Sequence, residues 1–252
     1  MMVNEISGVK IPDSQLAREA TQFIRDTESD LLFQHSTRVY FWGALAGKRK
    51  GLTFDPELLY TAAMFHDIGL TSGFRESRLR FEVDGANAAR DFLRSHGISE
   101  SDIEKVWLAI ALHTTPGISE HLNPIAALAA EGVMMDLVGL GYDEFTDAQR
   151  EAVATAYPPP PQFTEDLLQA FYDGLKHRPE TTQFTGLADI MADQDPHFHR
   201  RDFCSLMRSS RWAASLGPVS SGSSRMQQRG KARLEPSVVQ LLCRPGCCSG
   251  TI

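Results

Sequence analysis

Apolar residues recur at three- and four-residue intervals along most of the first two hundred positions, a period that predicts helices. Leu16, Ala20, Phe23 and Ile24 mark one face of a helix over Asp13 to Ser29. Leu31 to Lys50 is apolar almost all round until the phrase AGKRKG, so a helix with a largely buried surface is expected there. In Asp55-Pro56-Glu57 a capping side chain, a first-turn proline and an acidic residue open the next helix. That helix is expected to run to His66-Asp67 and to stop at Gly69. Thr71 to Arg80 reads as a loop, with Gly73 and the arginines Arg75, Arg78 and Arg80, placed to act as a lid. Further helices are expected from Glu82 to His96, closed by Gly97, and from Ser99 and Asp102 through IEKVWLAIALHT. In the latter, Ile103, Val106, Trp107 and Ile110 share a face that His113 continues. Asn123-Pro124 opens a helix that carries Asp136 and closes at Gly139 and Gly141. Thr146-x-x-Gln149 opens another that the YPPPP run at 157–161 stops, and QFTEDLLQAFYDGLKH repeats the amphipathic spacing. No Asn-Gly or Asp-Gly pair separates two alternating runs, since Asp84-Gly85 falls inside a helical pattern. An all-α, single-domain bundle follows.

Composition bounds that bundle. With 252 residues, of which 42% are hydrophobic and 23% charged, the chain can bury one sizeable core, and the domain is placed at residues 12–213. Beyond Ala213 the sequence turns to Gly, Ser, Arg and Gln, with five basic residues against one acidic, and the tail over 214–252 is expected to stay disordered. The net charge of -7 argues against a nucleic-acid partner, although it leaves room for a local basic pocket. A small-molecule substrate is expected instead. No apolar run approaches the ~18 residues that span a bilayer, and the N-terminus lacks a secretory pattern, so a cytoplasmic protein without a membrane partner is expected. Only Cys204 lies in the domain, while Cys243, Cys247 and Cys248 crowd the tail, so no disulfide framework is expected.

The chemistry of the chain rests on an ordered series of metal-ligand-type residues: His35, the pair His66-Asp67, His113 and Asp136. The pair sits in AAMFHDIGL, at the end of an apolar run and just before a glycine, where one ion can take an imidazole and a carboxylate together. Glycine-rich phosphate cradles, G-x-S-x-G, paired C-x-x-C and H-E-x-x-H are all absent. His96, His121, His177, His197 and His199 fall in polar or loop stretches and read as surface.

The phrases QHSTRVYFWG, LLYTAAMFHDIGL, RFEVDGANAARDFL, AIALHT, GVMMDLVG and FCSLMRSSRWA carry a family likeness. Over residues 12–213 the chain resembles the HD-domain superfamily of metal-dependent hydrolases, and within it the cyanamide hydratase-like branch. The resemblance implies that His35, His66, Asp67 and Asp136 bind a divalent metal, zinc first, with iron or manganese as alternatives. It further implies that His113 sits on the metal or beside the substrate, and His113, Asp67 and Glu82 form the catalytic set. Thr114 and Thr115 are weaker candidates for hydroxyl contacts. A Zn²⁺ site can lower the pKa of its water from ~15.7 to about 7. The implied reaction is hydration of cyanamide to urea in a tight, mostly apolar pocket. An HD-type phosphohydrolase, with Arg38, Arg75, Arg78 and Arg80 on phosphate oxygens, is the alternative. A non-catalytic metal-containing regulatory module is a third reading, against which the intact H…HD…D set argues. The number of metals and formation of a homo-oligomer are left open.

Overall fold

Short polar side chains start most of the helices among the described residues. Ser14, Ser29 and Asp55 accept backbone N–H groups at the starts of α1 (Gln15–Thr27), α2 (Asp30–Lys50) and α3 (Pro56–Phe65), satisfying donors that the first turn leaves unpaired. α4 (Phe81–Ser95) is closed by Gly97, and α5 (Glu100–Ala111) is capped by Ser99. Asn123 caps α6 (Pro124–Val138), which Gly139 ends in the left-handed conformation. Thr146 and Gln149 form a reciprocal capping box on α7 (Asp147–Ala156). Then come α8 (Phe163–Leu175), α9 (Leu187–Gln194) and the short α10 (Phe203–Arg208).

The computed structural model describes residues 3–212, so the tail expected to be disordered over 214–252, with Cys243, Cys247 and Cys248, lies outside the described residues. Contacts divide the chain into one compact unit ending at Leu206 and a second beginning at Met207. No helix among the described residues is long and apolar enough to cross a membrane.

Four features differ from the expectation. α3 ends at Phe65, so His66 and Asp67 lie in the link that follows, and Gly69 falls inside a 3₁₀ turn, Ile68–Leu70, without a left-handed φ. Gly69 is needed for space: a Cβ there would overlap the carbonyl oxygen of Phe81, where α4 begins. α5 stops at Ala111, which puts His113 on the turn beyond it. A hairpin of two-residue strands, β1 (Glu5–Ile6) and β2 (Val9–Lys10), turns through Ser7 and Gly8, both at positive φ. Its strands are too short to show alternation, and its turn uses Ser-Gly.

The fourth difference concerns the loop read as a lid. Arg178, which is buried, donates to the carbonyl of Leu79 at 2.8 Å and to the carbonyl of Gly69. Arg78 donates to the carbonyl of His177 at 3.0 Å, and Ser77 Oγ donates to Asp84 at 2.8 Å. The segment from Thr71 to Arg80 is therefore tied down as a wall.

α2 is the axis of the bundle. Almost every residue from Leu32 to Gly47 is buried, because α1, α3, α6 and α8 all pack on it. Its closest neighbour is α6, and small residues make that approach possible. A Cβ on Gly132 would overlap the carbonyl oxygen of Val39, and one on Gly43 would lie 2.6 Å from that of Leu128. α8 and α9 add a smaller cluster that includes Leu32, Leu70, Phe81, Phe171 and Met191. Gly132→Val should lower the unfolding free energy by about 1–3 kcal/mol through overpacking of α2 against α6, read as a shifted midpoint in urea denaturation.

Candidate metal centre

Three helices bring the ordered residues to one point. His35 comes from the middle of α2, His66 and Asp67 from the link after α3, and His113 from the turn after α5; all four are buried. Each imidazole is anchored through Nδ1. His35 Nδ1 meets Asp136 Oδ2 at 2.7 Å, His66 Nδ1 meets the carbonyl of Ala63 at 2.7 Å, and His113 Nδ1 meets that of Ile110 at 2.6 Å. Those partners only accept, so in the neutral ring Nδ1 carries the proton and Nε2 presents a lone pair. The Nε2 atoms of His35 and His66 face each other at 3.2 Å. Asp67 Oδ2 lies 3.2 Å from His66 Nε2 and 3.6 Å from His35 Nε2. His113 Nε2 is 3.8 Å from Asp67 Oδ1.

This arrangement fits a cation. The ligand atoms of His35, His66 and Asp67 all lie within 4.8 Å of one another. Both oxygens of Asp67 are buried without a hydrogen-bond partner, a costly state for a carboxylate unless positive charge joins it. Two nitrogens and one oxygen, with positions left for water, are a donor set that suits zinc and also other divalent first-row metals.

The protonation of the group follows from its crowding. Burial alone would raise Asp67, but the charge of the adjoining His66, with His35 and His113, holds it well below the usual carboxylate range. Burial disfavours a charged His66, and the adjoining Asp67 outweighs that and raises it. Burial and the His66 charge push His113 down to about 4, against the pull of Asp67 and Glu82. His113 is thus neutral near pH 7.

Asp136, expected among the ligands, lies outside the group of converging ligand atoms. Its oxygens are engaged by four donors, namely His35 Nδ1, Arg38 Nε at 2.7 Å, Arg38 Nη2 at 2.8 Å and Trp42 Nε1 at 2.9 Å. Burial would raise its pKa, but the hydrogen bonds from His35 and Arg38 hold it well below the ordinary value. Asp136 therefore orients the His35 ring and fixes which of its nitrogens carries the proton.

The remaining candidates separate clearly. Glu82 is buried, with Oε1 accepting from Arg80 and Thr114. Burial would raise it, yet the bond from Arg80 and the nearby His113 keep it below its ordinary value, which suits a fixed charge better than a proton carrier. Thr114 supplies its hydroxyl to Glu82, while Arg75 and Arg78 are exposed. His121, His197 and His199 are exposed, and His96 is half-buried beside Glu19 at 2.8 Å. Sequence reasoning missed Trp42, Arg178 and Glu28. Trp42 stands two helical turns from His35, a spacing that places both on one face. Glu28 follows α1 at its C-cap and reads as surface, but both its carboxyl oxygens are buried without a partner. Burial and the charge of Asp67 push its pKa well up.

Replacing His66 or Asp67 with alanine should leave the purified protein without bound metal. Asp136→Asn should retain metal at an affinity about 10–100-fold weaker, as expected for a group that orients a ligand. Metal stoichiometry and competition with a chromophoric chelator check both, with circular dichroism to confirm helix content. Complete loss of metal in Asp136→Asn would make it a ligand.

Comparison with known proteins agrees with this geometry. Against the bifunctional uridylyltransferase/uridylyl-removing enzyme of Thiobacillus denitrificans (strain ATCC 25259 / T1), the chain is 43% identical over 58 residues. That stretch is 23% of this chain and 6% of the relative. Residues 32–150, the span holding His35, His66, Asp67, His113 and Asp136, match the model of the HD domain.

Proposed function

We propose that the chain is a metal-dependent enzyme that adds water to a small neutral substrate, in the manner of a cyanamide hydratase forming urea. The supporting observation is the make-up of the buried centre: converging lone pairs and aromatic neighbours. The Phe81 ring lies 5.5 Å from that of His113, and the Phe163 ring 6.2 Å from that of His35. Arg38, one turn from His35, is already matched to Asp136. A substrate without charge does not require it.

A divalent ion held by His35, His66 and Asp67 supplies a Lewis acid and a water of lowered pKa. The chain's own groups divide the remaining work. Asp136 fixes His35, and the Ala63 carbonyl fixes His66, so both Nε2 atoms stay aimed at one point. Phe81 and Phe163, beside the rings of His113 and His35, would shield the reacting atoms from bulk water. Hydration joins the oxygen of water to the nitrile carbon and delivers both its hydrogens to the nitrile nitrogen. His113 Nε2, neutral and unprotonated, is placed to accept one of those protons and pass it on.

A second reading is hydrolysis of a phosphate ester or nucleotidyl group. The 43% identity over 58 residues to an enzyme whose name includes uridylyl removal favours it.

Metal content and turnover measured on one purified sample separate the readings. Cyanamide should yield urea, and the activity should vanish on chelation and return with added metal. Phosphate release from nucleoside monophosphates without urea would instead select the second reading, and bound metal with neither product would point to a regulatory module. His113→Ala should lower kcat by about 10²–10⁴-fold while keeping most of the metal. Equal loss of both would make His113 a ligand.

A further inference from the structure

A cavity of about 590 Å³ has none of the metal-centre donors in its lining. Its walls come from two parts of the chain. Arg80 and Thr114 contribute one side, while Gln183, Phe184, Arg200 and Arg201 contribute the other. The second group lies beyond residue 150, outside the span that matches the HD domain.

The cavity's charge is unusual for this molecule. The chain carries -7 overall, yet three arginines meet here with Asp189 as the acidic residue among the lining side chains. Asp189 is paired with Arg200. Arg80 uses Nε and Nη2 on Glu82, and Nη2 also on Thr114, which leaves Nη1 for a ligand. Arg201 is held through its backbone: its N–H donates to Gln183 Oε1 at 2.8 Å, and Gln183 Nε2 donates to the carbonyl of His199 at 3.2 Å. The guanidinium of Arg201 is not consumed in fixing the loop.

Phe184 supplies an independent observation. It holds a φ of 65°, a left-handed conformation that a bulky residue adopts only when its surroundings impose it. Its ring is 54% exposed and meets Phe203 edge-on at 5.8 Å. The strained bend thus presents an aromatic surface at a cavity whose other feature is positive charge. We propose that this cavity binds a small organic anion, with its charged head between Arg80, Arg200 and Arg201 and its apolar part against Phe184. The inference is independent of the hydration reading, since it uses none of the ion's donors.

Isothermal titration of the metal-loaded full chain with phenylphosphonate and with inorganic phosphate tests it. Phenylphosphonate should bind more tightly than phosphate. Arg201→Glu should weaken both by about tenfold or more, through loss of charge-assisted hydrogen bonds, with metal content and helicity unchanged. Phe184→Ala should bring the two probes to similar affinity. Undetectable binding to the wild-type chain would overturn the proposal, as would binding unaffected by Arg201→Glu. Binding that survives Arg201→Glu but disappears in His66→Ala would assign the anion to the metal centre and equally overturn it. A preference for phenylphosphonate that persists in Phe184→Ala would remove Phe184 from the site.

Discussion

Lone pairs from His35, His66, Asp67 and His113 converge in the interior of this bundle, and the hydrogen bonds on the far side of each ring keep them there. An interior that turns its acceptors toward one another is unfavourable without a cation, so the surrounding structure has to hold them by force of packing. α2 does this. His35, Arg38 and Trp42 stand at i, i+3 and i+7, one face of the helix, and all three donate to Asp136 on α6. The glycines that let α2 and α6 approach closely are therefore part of the same device: they set the distance at which one carboxylate reaches three side chains.

Charge is distributed by the same logic. Arg38 meets Asp136, Arg80 meets Glu82, and Arg178 meets Asp84, and the carboxylate of each pair is almost completely buried. Removing one member of such a pair leaves the other uncompensated, at a cost of about 3–5 kcal/mol. Glu28 is the exception. Its oxygens have no hydrogen-bond partner, and burial first, then the charge of Asp67, push its pKa well up. Asp67 is the carboxylate among the three converging donors.

Much of this was legible in the sequence where a local rule applied. Caps at Ser14, Ser29, Asp55, Ser99, Asn123 and Thr146 are short-range chemistry, and the helices they open follow the apolar spacing. The order His35, His66-Asp67, His113 named the residues that meet. What the sequence leaves hidden depends on three-dimensional neighbours. Asp136 has the residue type and order of a ligand, and only the arrival of Arg38 and Trp42 assigns its oxygens to hydrogen bonds. Gly69 looks like a helix stop, whereas the approach of Phe81 is the reason for a missing side chain there. Arg178 reads as an exposed charge after a helix, because nothing in its own segment announces Asp84, Leu79 and Gly69 as partners.

Arg178 also ties the backbone after the centre to the start of α4. It joins the carbonyl of Gly69, two residues past Asp67, to the carbonyl of Leu79 and to Asp84 at the start of α4. The segment Thr71 to Arg80 is consequently fixed at both ends and in its middle, with Ser77 on Asp84 and Arg78 on the His177 carbonyl. Moving the end of this segment at Leu79 would break a hydrogen bond from Arg178, a buried arginine that is also paired with Asp84. The clamp comes from residue 178, outside the span 32–150 that matches the HD domain model, whereas His35, His66 and Asp67 lie within that span. Parts of the chain beyond the matched span thus fix the backbone that follows the candidate ligands.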